Sequence, residues 1–250
     1  MWRRTVYAAA AVVAALSPGS AASGELFASS VVGTDFDFIR EGDPSAFEAL
    51  RFVGRGWAEM PDKRGGAGLF QEAFSFEASF ADGARVRIDV DADFDTRDAA
   101  RAEAGRLCGP LGRLPGVLRR GVRRVVVHRG GADATAFSDE GLIVVYAGNV
   151  AKWLATHDLE ETVFHESVHA TWDAAHASSE GWTRAQLADG AFVTAYAGKH
   201  PKREDLAESA LFAFTLLRHP GRLDGATRRA VAATIPHRVR YVGELLAAGG

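Results

Sequence analysis

The stretch His165-Glu166-Ser167-Val168-His169 constrains this chain more than any other part of it. It lies inside the run from Leu159 to Trp172, which reads as a helix, and on a helix residues four apart share a face. His165 and His169 therefore point the same way, one turn apart, as two imidazoles must to grip one zinc ion. Glu166 stands round the helix from both, too far to ligate but placed to reach a water on the metal. This is the H-E-x-x-H arrangement of zinc metallopeptidases. Histidine is scarce, with 8 in 250 residues, so an amphipathic helix carrying this pair by accident is the weaker reading.

A zinc ion held for hydrolysis takes three protein ligands and keeps one position open, so a third ligand is required. His176 is one candidate. Metzincin spacing, H-E-x-x-H-x-x-G-x-x-H, demands a glycine turn; here Thr171 and Trp172 occupy that region and the histidine arrives one residue late. The favoured candidate is Glu204, on a separate helix expected from about Lys202 to Leu217, between Pro201 and the stop at His219-Pro220-Gly221. Glu208, one turn further on the same face, has apolar neighbours in Ala207, Ala210, Leu211 and Phe214. A carboxylate there wants a partner, and a ligand histidine's second ring nitrogen would provide one. The plainer alternative makes Glu204, Asp205 and Glu208 the acidic first turns of a helix.

Taken together, His165-Glu-x-x-His169, then Tyr196-Ala197, then Glu204-Asp-Leu-Ala-Glu208 resemble the glutamate-type zincins. Within them the pattern is most similar to the bacterial metallopeptidases that include the catalytic domain of anthrax lethal factor. The resemblance covers roughly residues 120–217. It implies an α+β zincin-like domain with Zn2+ held by His165, His169 and Glu204. It also implies Glu166 as general base and Tyr196 as the hydroxyl that steadies the oxyanion of the transition state.

The remainder of the chain sets the context. Its length suits one domain, and 47% apolar with 24% charged residues is ordinary globular composition. Residues 1–22 differ: Met1-Trp-Arg-Arg4 is basic, Val6 to Leu16 is apolar, and Ser17 to Ala22 supplies small residues, the build of a secretory signal peptide. The apolar core is too short for a membrane span. The expected organisation is thus a leader over 1–22 and a single domain over 23–250, secreted or periplasmic, with a hairpin-containing part to about residue 118 and a catalytic core beyond. Cys108, the one cysteine, can form no internal disulfide and reads as core.

Strand signals dominate the first half. Phe74, Phe76, Ala78 and Phe80 alternate with polar residues, Asp82-Gly83 marks a turn, and Val86, Ile88 and Val90 alternate again: a β-hairpin with one buried face. Val122–His128 and Leu142–Tyr146 read as further strands, so the sheet is expected to be small and mainly antiparallel. Ser45–Val53 reads as a short helix and Trp57–Arg64 as loop. Asp89, Asp91, Asp93 and Asp95 occupy alternate positions but lack the glycine and glutamate of an EF-hand loop, which makes them the solvent face of a strand. A helix should follow to about Leu114, broken at Gly109-Pro110. The cluster Arg119, Arg120, Arg123 and Arg124 reads as solvated surface; without interleaved aromatics, and with a net charge of -3, no nucleic-acid partner is expected. In the helical second half, Asp158 with Glu161 and Thr183 with Gln186 have capping-box spacing, and Asp224 opens a last helical region interrupted at Pro236.

The expected partner is a protein or peptide substrate, extended along a strand edge at Thr135–Phe137 or Leu142–Tyr146, with no membrane contact once the leader is gone. A catalytically inactive zincin-like binding module is the competing reading; the presence of Glu166, the residue such a module would lose first, speaks against it.

Overall fold

Alternating apolar residues build the sheet face by face, and the computed structural model shows where each face goes. It describes residues 25–248, apart from 33, 35, 66–68 and 138–139; the expected leader over 1–22 lies outside them. Six strands pair in the order β1-β2-β3-β4-β6-β5. They are β1 (Phe47–Glu59), β2 (Phe70–Phe80), β3 (Arg85–Asp91), β4 (Arg124–His128), β5 (Thr135–Phe137) and β6 (Leu142–Tyr146). The β2–β3 hairpin is as the alternation predicts, with Phe76 opposite Ile88 and Ala78 opposite Val86. The sheet as a whole is mixed. β1–β2, β2–β3 and β5–β6 are antiparallel, whereas β4 runs parallel to both β3 and β6. Parallel pairing of β3 with β4 needs a crossover, which α1 (Arg97–Arg113) and α2 (Gly116–Gly121) provide. Because β3 pairs with β4, the sheet passes without a break across residue 118.

One face of the sheet carries Phe74, Phe76, Val86, Ile88, Val90, Val125, Val127, Ile143 and Val145 into the main core under the helices. The opposite face has a smaller apolar cluster of Met60, Ala73, Val126, Leu142, Val144 and Tyr146. The second half is helical: α3 (Ala147–Thr156), α4 (Leu159–Trp172), α5 (Glu180–Asp189), α6 (Ala195–Lys199), α7 (Asp205–Arg218), α8 (Gly225–Thr234) and α9 (Pro236–Ala248). No helix among the described residues is long and apolar enough to cross a membrane.

Several local expectations are overturned by tertiary partners. Ser45–Val53 is not a helix, and Trp57–Glu59 is not loop: Phe47–Val53 and Trp57–Glu59 both belong to the long edge strand β1. Pairing with β2 over its whole length outweighs a weak helical preference, with Phe52 packed on Phe76 at a centroid distance of 5.4 Å. The helix α1 passes through Pro110 unbroken. Leu107, Cys108, Pro110 and Leu111 are all buried there, and that burial offsets the roughly 3 kcal/mol an interior proline costs. Cys108 is buried as expected, its thiol pushed up to about 12 by desolvation. The alternate aspartates are not a uniform solvent face. Asp89 is 0% exposed and accepts hydrogen bonds from Ser75 Oγ (2.6 Å), Arg87 Nε (2.8 Å) and Arg124 Nε (2.6 Å). Asp91 is also buried and caps the turn at Asp93 N. Arg124 is thereby an internal ion-pair partner rather than solvated surface. So is Arg119, which is buried and bonds Asp82 and the carbonyls of Gly112 and Leu114.

Neither expected capping box forms. Glu161 turns away from the α4 N-terminus to accept the backbone N–H of Ile39 at 3.0 Å, and Asp158 makes no side-chain cap. Helix α5 starts earlier than expected, with Ser179 capping Trp182 N, so Thr183 is interior and Gln186 instead donates to Asp205 Oδ2 at 2.7 Å. Asp224 does cap α8, through Ala226 N and Thr227 N.

Candidate metal centre

Helices α4 and α7 build the site from opposite sides. Nearly every residue of α4 is buried, so its two histidines are held by packing on all sides rather than on a wet face. Glu204 is the residue that starts α7 and is 1% exposed. His165 Nε2 and His169 Nε2 lie 3.1 Å apart. Glu204 Oε2 lies 3.4 Å from His165 Nε2 and 3.3 Å from His169 Nε2. These three residues form the only His, Cys, Asp or Glu group able to hold a metal ion among the described residues.

The triangle itself tests the fit. Zinc ligands at about 2.0–2.1 Å in a tetrahedron are separated by an edge of about 3.3–3.4 Å, and the three observed separations fall at or just below that value. Glu204 Oε2 is buried with no hydrogen-bond partner, a costly condition for a carboxylate oxygen that a cation at the centre of the triangle removes. Two imidazoles and one carboxylate suit Zn2+. Imidazole and carboxylate donors also serve copper, iron and nickel.

Charge in the pocket is balanced internally. Burial would raise Glu204, but the close imidazoles of His165 and His169 and their charge hold it well below the usual carboxylate range. Burial would lower both histidines. Glu204 reverses this for His165, and Asp173 with Glu204 carries His169 well above its ordinary value. Glu166 is 2% exposed, and its Oε2 has no hydrogen-bond partner. Burial raises its pKa, against the opposing charges of His169 and His165.

Behind the triangle each histidine faces a carboxylate. His169 Nδ1 is 2.7 Å from Asp173 Oδ2. Since a carboxylate only accepts, Nδ1 donates and Nε2 keeps its lone pair for the metal. Sequence reasoning missed Asp173, although its position four residues past His169 was a readable signal. His165 Nδ1 is 3.6 Å from Glu208 Oε1, an ion-pair distance longer than a hydrogen bond. Glu208 is 0% exposed and is itself held by Ser30 N at 2.6 Å and Ser29 Oγ at 3.1 Å.

Two candidates remain. His176 lies in a π-helical turn after α4 and bonds the Tyr241 hydroxyl through Nδ1 at 2.8 Å, away from the triangle. Tyr196 is half-buried on α6, its ring edge-on to His200 at 5.2 Å. Of the two proposed substrate edges, β6 is interior, hydrogen-bonded to β4 and β5; β5 is the outer strand on that side of the sheet. Comparison with protein-family models, curated proteins and solved structures finds no match to this chain.

Proposed function

We propose that this chain is a zinc-dependent metallopeptidase of the glutamate-zincin type, acting outside the cytoplasm on protein or peptide substrates. The observation that carries the reading is the convergence of His165 Nε2, His169 Nε2 and Glu204 Oε2 at 3.1–3.4 Å, with the unpartnered carboxylate of Glu166 on the same helix. His165, His169 and Glu204 would hold the zinc, which would supply Lewis-acid chemistry and a water of lowered pKa.

The chain's own residues do the rest. Glu166, its proton affinity raised by burial, takes the proton of the water and passes it to the leaving amine. Asp173 and Glu208 orient the ligand imidazoles from behind. Tyr196 is assigned to the oxyanion on the resemblance to glutamate zincins. The peptide adds as an extended strand to β5, the outermost strand on that side of the sheet. The signal-like residues 1–22 support the extracytoplasmic assignment.

Metal analysis of the purified chain, paired with cleavage of a peptide library with and without a chelator, tests this reading. We expect about one zinc per chain and chelator-sensitive cleavage. Glu166→Gln should keep the zinc and lower kcat by at least about 100-fold, the scale of a general base. Full cleavage by Glu166→Gln, or a chain that takes up no metal, would overturn the assignment.

A further inference from the structure

The segment after β1 carries Lys63 across the ends of two strands. Its backbone is clamped at two points. His128 Nε2 donates to the Pro61 carbonyl at 2.9 Å. Lys63 N donates to the Tyr146 hydroxyl at 2.9 Å, and that hydroxyl donates to Asp62 Oδ1 at 2.8 Å. His128 and Tyr146 are the last residues of β4 and β6 and are buried to 1% and 0% exposure. The sheet therefore fixes where Lys63 starts.

Its side chain ends in an unusual position. Lys63 Nζ is shielded from solvent and has no hydrogen-bond partner. Asp133 Oδ2 stands 3.9 Å away, within ion-pair range but beyond a hydrogen bond. Asp133 immediately precedes Ala134 and the outer strand β5. The ammonium thus stands beside the start of the strand edge assigned to substrate. A shielded ammonium with three unused donors is costly to maintain, and the cost is recovered when a ligand supplies the acceptors.

We propose that Lys63 is an anion subsite at the start of β5, taking one carboxylate of a peptide laid along that strand. The inference rests on the peptidase reading above. One carboxylate fits better than a phosphate: Asp133 already places negative charge beside the ammonium, and a dianion there would be repelled. The carboxylate comes either from an acidic side chain near the scissile bond or from a free C-terminus.

The test uses the full chain loaded with zinc and made inactive by Glu166→Gln. Fluorescein-labelled hexapeptides of one neutral sequence are prepared in three forms: C-terminally amidated, amidated with a glutamate scanned through each position, and with a free C-terminus. Binding is read by fluorescence anisotropy. We expect one carboxylate-bearing form to bind about 10–100-fold more tightly than the neutral amide, as a charge-assisted hydrogen bond supplies. Which form wins identifies the source of the carboxylate. Lys63→Met should erase the preference and Lys63→Arg should keep most of it, with the melting temperature of Lys63→Met no lower than that of its parent. Lys63→Gln makes the same comparison should the methionine variant not fold. Equal affinity for all three peptide forms, or a preference that survives loss of the ammonium, would overturn the subsite. Carboxylate preference that depends on Lys63, without hydrolysis by the chain with Glu166 intact, would instead sink the peptidase reading and leave the subsite standing. Hydrolysis indifferent to carboxylates would do the reverse.

Discussion

At the scale of single residues, the two carboxylates behind the metal centre differ in a way the distances make concrete. Asp173 meets His169 Nδ1 at 2.7 Å, whereas Glu208 stands 3.6 Å from His165 Nδ1 and divides its acceptor capacity with Ser29 and Ser30. A direct charge-assisted bond fixes the tautomer and raises ligand basicity more than a longer contact does. Asp173→Ala should therefore weaken zinc binding by about 10–100-fold, the usual cost of losing such a partner, and by more than Glu208→Gln does. Competition with a chromophoric chelator measures both. Unchanged affinity in Asp173→Ala would mean that the bond does not tune the ligand. Asp173 was legible in principle, because four residues on a helix is one turn. Lys63 was not: it lies about a hundred residues upstream of the motif, and nothing local to Trp57–Arg64 points towards β5.

Among the elements, α7 matters most, since Glu204 is its N-cap residue and α9 holds it in place from its far side. Arg238 of α9 is 0% exposed and donates from Nε to Asp189 Oδ2 at 2.9 Å and from Nη1 to Asp205 Oδ1 at 2.6 Å. It also bonds the carbonyl of Ala191 and packs over the Phe192 ring at 5.2 Å. One guanidinium thus ties the end of α5, the segment that follows it and the first turn of α7 together. Replacing Arg238 by Met would strand two buried carboxylates, which costs about 3–5 kcal/mol when one partner of a buried pair is removed. Denaturant unfolding reads this directly; a loss under about 1 kcal/mol would show that the pair is not the anchor. Because Asp205 adjoins Glu204, the same variant should also loosen the metal.

At the scale of the whole molecule, residues 25–40 bind the two ligand-bearing helices to each other from behind. Ser30 N reaches Glu208 on α7, Ile39 N reaches Glu161 on α4, and Phe27 and Phe38 both pack on Phe212 at 5.0 Å. Glu161 is 2% exposed, and burial pushes its pKa to about 7. In the folded protein it keeps its proton up to about that pH, whereas the unfolded chain releases it near the ordinary carboxylate value. The folded state therefore binds more protons between about pH 4.5 and 7, and stability falls as pH rises through that window. The loss attributable to this group is at most about 3 kcal/mol. Glu161→Gln retains an acceptor for Ile39 N and removes the titration, so its melting temperature should exceed that of the parent at pH 8 and match it near pH 4.5. Parallel pH profiles for the two proteins would refute this assignment.

What the sequence determined by itself is local and periodic. The spacing of His165 and His169, the alternation of Phe74–Phe80 against Val86–Val90, and the stop at His219-Pro220-Gly221 are each set by the geometry of one helix or strand, and each is present in the structure as read. The tertiary structure decided everything that depends on a distant partner. It made β1 a strand by pairing it with β2, carried α1 through Pro110 by burying it, and took Asp89, Arg119 and Arg124 inside as ion pairs. It turned Glu161 from a helix cap into a tie for Ile39. The physical reason is the same in each case. Helix and strand periods are fixed by backbone stereochemistry within a few residues, but the fate of a charge depends on which opposite charge or N–H the fold brings within about 3 Å of it. That neighbour lay 35 to 122 positions away for Arg124 with Asp89 and for Glu161 with Ile39, beyond the reach of any local pattern.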